Sequence, residues 1–425
     1  MPDAVTEPPR APGTLTAEQA SLPAGHPFRR LPWLLAALGV AGLGATFALD
    51  GTAVRGQLHH SYLVALLFWL TACLGALGFV LVQFAARAGW SVVIRRPAEA
   101  LMAVLPLFAL LFLPLAVGLG VLWPQVTDAA ATSPDAVLRH QAPWLAPSFF
   151  LARAFGYLGL LSALAVYAYR VSVAQDRSAD PELTRRLQRL SGPGLVLLAV
   201  VTTGIALDWI LGLDPHWVST IFGLYIIVGA VIAGLATLTL AGLALERAGV
   251  LRGRFTVEHL HDLGKLLLGL TLLWGFLAGA QALVAWYGNL PEETIFYARR
   301  WYQVPAHPTT LEVWPETTWR YASIALALGH AVIPALVLLP RAVKRSRLAL
   351  GAVAVWLLAA HLLDLHWLVL PNLHRGGLAP SVLDLTAWLG VGGVVLAAFT
   401  ALIVREPVVP VGDPRLPESL DHVNP

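Results

Sequence analysis

Residues 60–84 read HSYLVALLFWLTACLGALGFVLVQF, a run without a single Asp, Glu, Lys or Arg. An α-helix of roughly 20 apolar residues crosses the ~30 Å hydrocarbon core of a bilayer. This run is long enough to do so. Working outward, nine more stretches qualify, so that ten spans are expected: Pro32–Asp50, His60–Phe84, Leu101–Trp123, Pro147–Val173, Gly192–Leu213, Trp217–Leu245, Leu260–Tyr287, Thr318–Pro340, Leu348–Leu370 and Val382–Val404. Of the 425 residues, 57% are hydrophobic and 12% charged, with a mean hydropathy of +0.70. Soluble domains carry about 25% charged residues. The balance excludes an ordinary soluble domain and a disordered chain. The fold class expected is an all-α polytopic membrane protein, with spans two to five and six to nine as two four-helix bundles and the others peripheral. Residues 1–31 and 405–425, rich in Pro and charge, read as disordered tails around the 32–404 membrane domain. No short apolar segment with a small-residue cleavage site marks residues 1–31 as a signal peptide.

Lys and Arg orient the spans, because cytoplasmic loops collect them. Of 28 basic residues, 19 fall on one side: the first tail, the second, fourth, sixth and eighth connections, and the last tail. Five, Arg55, Arg139, Arg299, Arg300 and Arg375, fall on the other. Both termini are therefore expected in the cytoplasm. A net charge of +3 gives no reason to expect a nucleic-acid partner. The lone cysteine, Cys73, excludes an internal disulfide framework, a Cys-ligated iron–sulfur cluster and a C-x-x-C-H haem site. The outer connection 288–317 carries Glu292, Glu293, Glu312 and Glu316 among Trp301, Tyr302 and Trp314, with Trp319 just beyond. That density suits an interfacial aromatic belt or a docking surface for an outer partner.

Ionisable residues in hydrocarbon are costly and are functional candidates by default. Near the Arg-rich side, Asp262 and Lys265 stand one helical turn apart with His261 beside them. They read either as a helix-end pair snorkelling to water or as the inner mouth of a proton path. In the middle, His330 and His361 lie near mid-depth. Asp364, one turn from His361, is positioned to fix its tautomer. A His–Asp–His series of this kind suits a proton relay, or serves as polar glue between helices. His330 and His361 are also the only near-midplane pair for a bis-histidine haem, and no helix carries two spaced histidines for a stacked haem pair.

The densest motif is D208-W-I-L-G-L-D214-P-H216-W-V-S219-T220-I-F-G-L-Y225. Asp214-Pro215 signals a tight turn between spans five and six. Asp208 is not needed for that turn, and His216 is more polar than a lipid-facing helix wants; both become candidates for the outer end of the relay. Thr202, Thr203, Ser219 and Thr220 are candidates to hold bridging waters.

This motif resembles a segment of the second large membrane subunit of bacterial alternative complex III, a quinol:cytochrome c oxidoreductase. Asp262-Leu-Gly-Lys265 and W286-Y-G-N289-L-P-E292-E293-T-I-F-Y297-A-R299-R300 add to the likeness, which covers about Asp208–Trp301. Such NrfD/polysulfide-reductase-like subunits have two four-helix bundles. The resemblance implies a bacterial inner-membrane protein beside a related quinol-oxidising ten-span subunit, a periplasmic iron–sulfur protein and multihaem cytochromes c. It implies haems c and iron–sulfur clusters in those partners, none in this chain, and menaquinol or ubiquinol nearby. The task implied is proton relay through half-channels in support of quinol oxidation by the neighbour. By this reading Asp262, Lys265 and His261 form the inner end, His330 and His361 the middle, and Asp364, Asp208 and His216 the outer end. Three rivals remain. One is a quinone-binding electron-transfer subunit, with His216 or Asp208 accepting the quinol proton. Another is a stand-alone secondary transporter broken at Pro334. The last is a structural scaffold for redox subunits.

Overall fold

The computed structural model describes residues 15–52, 54–304 and 314–424. It is 76% helical, and the only strand-like pairing among the described residues is an isolated bridge between Tyr302 and Glu316. Among the described residues, ten helices are long and apolar enough to cross a membrane: α1 (Pro27–Ala48), α2 (Gln57–Ala85), α3 (Val92–Val117), α4 (Pro147–Ser178), α5 (Pro181–Leu213), α6 (Phe222–Arg247), α7 (Val257–Gly288), α8 (Trp319–Leu338), α9 (Arg347–Asn372) and α10 (Val382–Arg405). The chain is an all-α, ten-span membrane protein.

Helices α2–α5 pack as one bundle and α6–α9 as a second, with α2 against α6 at the seam. Both seam helices are apolar all round, as central helices must be. At the seam their backbones touch. A Cβ on Gly75 would lie 1.9 Å from the Ala230 carbonyl oxygen, and one on Gly234 2.6 Å from the Ala76 nitrogen. Small residues drive such approach in lipid, where apolar burial gains nothing. Gly39 and Gly42 of α1 meet Gly393 and Gly390 of α10 in the same way, fixing this outer pair beside α2.

Three expectations are corrected. The third span begins at Val92 and not Leu101, so Arg95 and Arg96 are helical and buried, not loop residues. Glu99, one turn on, lies 3.0 Å from Arg95 and 3.1 Å from Arg96, and Asp413 and Asp176 complete the charge balance. Next, residues 406–424 are no loose tail, since Val408, Val409 and Leu416 are buried and Leu416–Leu420 is helical. Buried valines and the Arg95–Asp413 pair outweigh the Pro-rich composition. In the first tail, Ala20 and Leu22 are buried and the Ala20 carbonyl accepts from Val408 N–H at 2.8 Å; residues 1–14 lie outside the described residues, as do 305–313 with Glu312. At the start of α8, Trp319 is wholly buried and donates to the His374 carbonyl at 2.7 Å. It belongs to the packing and not to a lipid belt.

Candidate functional site

The Arg-rich ends of α2–α10 define one face of the molecule. There, Thr256 caps α7, accepting from Glu258 N–H at 3.3 Å, while His259 returns the contact to the Thr256 backbone. One turn in, Asp262 meets Lys265 at 2.5 Å. Its other oxygen receives His422 Nε2 at 2.5 Å and Asn424 Nδ2 at 3.3 Å. Lys265 also donates to Asn424 Oδ1 at 2.9 Å. His261 is buried beside this network, and its Nδ1 has no hydrogen-bond partner. The structure therefore brings Asp262 and Lys265 together as the spacing implies. It adds His422 and Asn424, which sequence reading assigned to a tail.

The interior of the second bundle holds the middle group. His330 lies wholly buried on α8, where a wider π-turn covers Ala327–Val332. Such turns recur at functional positions. Neither of its ring nitrogens has a partner. Its ring lies 3.9 Å from Trp274 of α7 and 6.5 Å from His361 of α9, centroid to centroid. His361 reaches across the seam to Thr71 Oγ1 at 2.8 Å. Gly229 makes room for that ring, since a Cβ there would stand 3.3 Å from it. Asp364 does not hold the His361 tautomer as the sequence suggested. Its Oδ1 accepts from the Tyr225 hydroxyl of α6, and among the described residues no cation pairs with it. Tyr225 was quoted in the motif but given no role; its offset from Asp364 is a tertiary contact that no local spacing reveals.

On the opposite face, Asp208 and His216 occupy separate places. Asp208 lies on a second π-turn, Ala206–Ile210. It accepts from Trp144 Nε1 at 2.7 Å, Arg153 Nε at 2.9 Å, Arg153 Nη2 at 3.2 Å and Tyr157 at 3.0 Å. Arg153 also lies over the Trp144 ring at 3.8 Å. His216 is half exposed and meets Asp135 at 2.7 Å. That hydrogen bond, with two from the Val137 and Leu138 amides, holds the Asp135 carboxyl below its ordinary range. Asp214 pairs with Arg299 at 2.5 Å. Neither Asp208 nor His216 contacts the Asp364 group. The four candidate water-holders are not contiguous either. Ser219 donates to Gln281 at 2.6 Å, Thr202 is buried without a partner, Thr203 packs on Gly223, and Thr220 is exposed.

Beside Asp364, toward the opposite face, Arg300 is buried with no carboxylate in contact. It donates to the carbonyls of Phe296, Trp367 and Leu368 at 2.7, 3.1 and 3.3 Å. The Phe296 and Trp367 rings lie 3.4 and 4.4 Å from its guanidinium. Burial draws its pKa down to about 9, so the charge persists at neutral pH. A cavity of about 430 Å³ adjoins it, walled by Trp217, Tyr225, Trp274, Phe296, Tyr297 and Trp367. The indole N–H groups of Trp217 and Trp274 have no partner. Among the described residues no cluster of three His, Cys, Asp or Glu side chains has a metal-binding arrangement.

The sequence matches no known protein-family model, and a search of curated proteins finds no relative.

Proposed function

We propose that this chain is an integral subunit of a respiratory quinol:electron-acceptor oxidoreductase of the alternative complex III kind, in a bacterial inner membrane with both termini cytoplasmic. It relays protons while a related neighbouring subunit oxidises quinol. Haems c and iron–sulfur clusters belong to the outer partners. The observation that carries the proton relay is the buried interior group. His330, His361 and the Tyr225–Asp364 pair lie together inside one bundle, without counter-charges in contact. Titratable groups buried in a membrane bundle without an ion pair are functional candidates by default. The two histidine rings stand at a spacing that a bridging water can serve. Asp262 and Lys265 suit the entry from the Arg-rich face.

The test has two stages. Affinity purification in mild detergent should bring down a second ten-span chain, an iron–sulfur protein and c-type cytochromes. In proteoliposomes of that complex, Asp262→Asn should lower the protons moved per electron while assembly persists. An unchanged ratio removes Asp262 from the path.

A second reading, a quinone site within this chain, is favoured by the aromatic cavity. Two unpaired indole donors suit the carbonyl oxygens of a flat ring, and Tyr225 lines the same wall. Asp208 and His216 are poorly suited to receive a quinol proton, since one is fully engaged by donors and the other lies on the surface.

A further inference from the structure

Residues 406–424 return along the Arg-rich face in two parts with different fastenings. The first part is anchored. Val408 and Val409 are wholly buried, and Asp413 is paired with Arg95. Gly412 N–H donates to Asp176 at 3.3 Å. Ser419 donates to the Trp90 carbonyl at 2.6 Å and accepts from Val93 N–H at 3.1 Å, while its own carbonyl meets His259 at 3.1 Å.

The second part, residues 421–424, buries no apolar side chain. Asp421 and Val423 are exposed. Asn424 is buried, and the His422 ring lies 6.3 Å from Trp90 and 5.6 Å from His259, centroid to centroid; the polar contacts of both residues converge on one helix end. His422 and Asn424 both reach Asp262 Oδ2, at 2.5 and 3.3 Å. Asn424 also accepts from Lys265 at 2.9 Å, donates to the Glu258 carbonyl at 3.0 Å and takes the Glu258 carboxylate on its backbone N–H at 3.3 Å. Glu258 is held from the other side by Arg345. Seated in this way, the tip supplies two of the three side chains that hydrogen-bond or ion-pair with Asp262. The Asp262 side chain is left 11% exposed although it lies within two turns of a helix end.

A segment whose far part buries no apolar side chain opens locally before the rest of the fold does. We propose that residues 421–424 are a latch that closes over Asp262, with 406–420 as its fixed strap. Closed, the latch occupies the carboxylate with His422 and Asn424. Open, it leaves Asp262 to water on the Arg-rich face, where Lys265 is already half exposed. This rests on the reading of Asp262 as the inner end of a proton path, and it supplies that path with a gate belonging to the chain itself.

The test compares the full chain with its His422→Ala/Asn424→Ala variant in detergent. Spin labels at Asp421→Cys and Arg252→Cys report the distance between the tip and a neighbouring loop; Cys73 is fully buried and stays unlabelled. Reaction of Asp262 with a water-soluble carbodiimide and a small amine, read by peptide mass spectrometry, reports its exposure. The expected result is one narrow distance in the otherwise unaltered chain and a broad distribution in the variant. Asp262 modification should rise at least about fivefold, the population shift that losing one modest hydrogen bond produces, while Asp208 modification stays level. An unbroadened distribution overturns the assignment of the latch contacts. A released tip with unchanged Asp262 reactivity overturns the gate. Neither reading requires the chain to move protons, so a failure here is separate from a failure of the relay.

Discussion

Asp208 and Asp364 are both buried carboxylates, in neighbouring bundles, each with a tyrosine hydroxyl donating to it. Asp208 takes three further hydrogen bonds, two of them from an arginine sandwiched by aromatic rings. Asp364 takes one from Tyr225, and nearby histidine nitrogens are left unpaired. Depth alone does not separate the two; satisfaction does. A buried carboxylate with its cation and full hydrogen bonding holds helices together. On the proposed reading, the buried carboxylate with one neutral donor, no ion pair and free imidazoles nearby is the one that exchanges a proton.

The comparison can be broken by substitution. The largest effect on stability is expected from Asp208→Ala. It leaves Arg153 with the Trp144 carbonyl and ring but no carboxylate, and should cost about 3–5 kcal/mol, read as a fall in the unfolding midpoint in detergent. Asp364→Asn keeps an acceptor for Tyr225 and should leave that midpoint nearly unchanged, while slowing proton movement by at least ~10-fold, read with a pH-sensitive dye in proteoliposomes. His330→Phe replaces a ring whose two nitrogens have no partner with an apolar ring of similar shape. It should stabilise the chain by about 1–2 kcal/mol and still slow proton movement. A destabilised His330→Phe chain would mean that hidden polar partners satisfy the imidazole. The smallest effect is expected at His216. Asp135 is held below its usual range, so the contact contributes above the ordinary carboxylate range and is lost as pH falls through the depressed value. Asp135 is solvent-exposed, and His216→Ala should leave the unfolding midpoint unresolved from the parent at pH 7 and pH 4.

Ten spans, two bundles and their Arg-rich side were legible because apolar length and charge placement are local properties of the chain. The errors arose where tertiary contacts override composition. Arg95 and Arg96 looked like loop residues because charge ended the apolar window, yet Glu99, Asp176 and Asp413 let them enter the helix bundle. The segment after Arg405 looked disordered because Pro407, Pro410, Pro414 and Pro417 break regular structure. The buried Val408 and Val409 in the same stretch were the available signal that it docks. Within the candidate site, the turn-spaced pair Asp262–Lys265 was legible from one helix. The pairing of Asp364 with Tyr225, and of His361 with Thr71, was not. Both join helices far apart in sequence, and spacing on a single helix carries no information about them. Arg300 was read as a loop charge because its binding partners are backbone carbonyls, which no side-chain pattern announces.

The most direct test of the account is the number of protons moved per electron by the purified complex in proteoliposomes, compared between Asp364→Asn and Asp208→Asn. The account predicts that Asp364→Asn lowers the ratio while electron transfer in detergent continues, and that Asp208→Asn, if it assembles, keeps the parental ratio. A parental ratio in Asp364→Asn, with the loss appearing in Asp208→Asn instead, would contradict it.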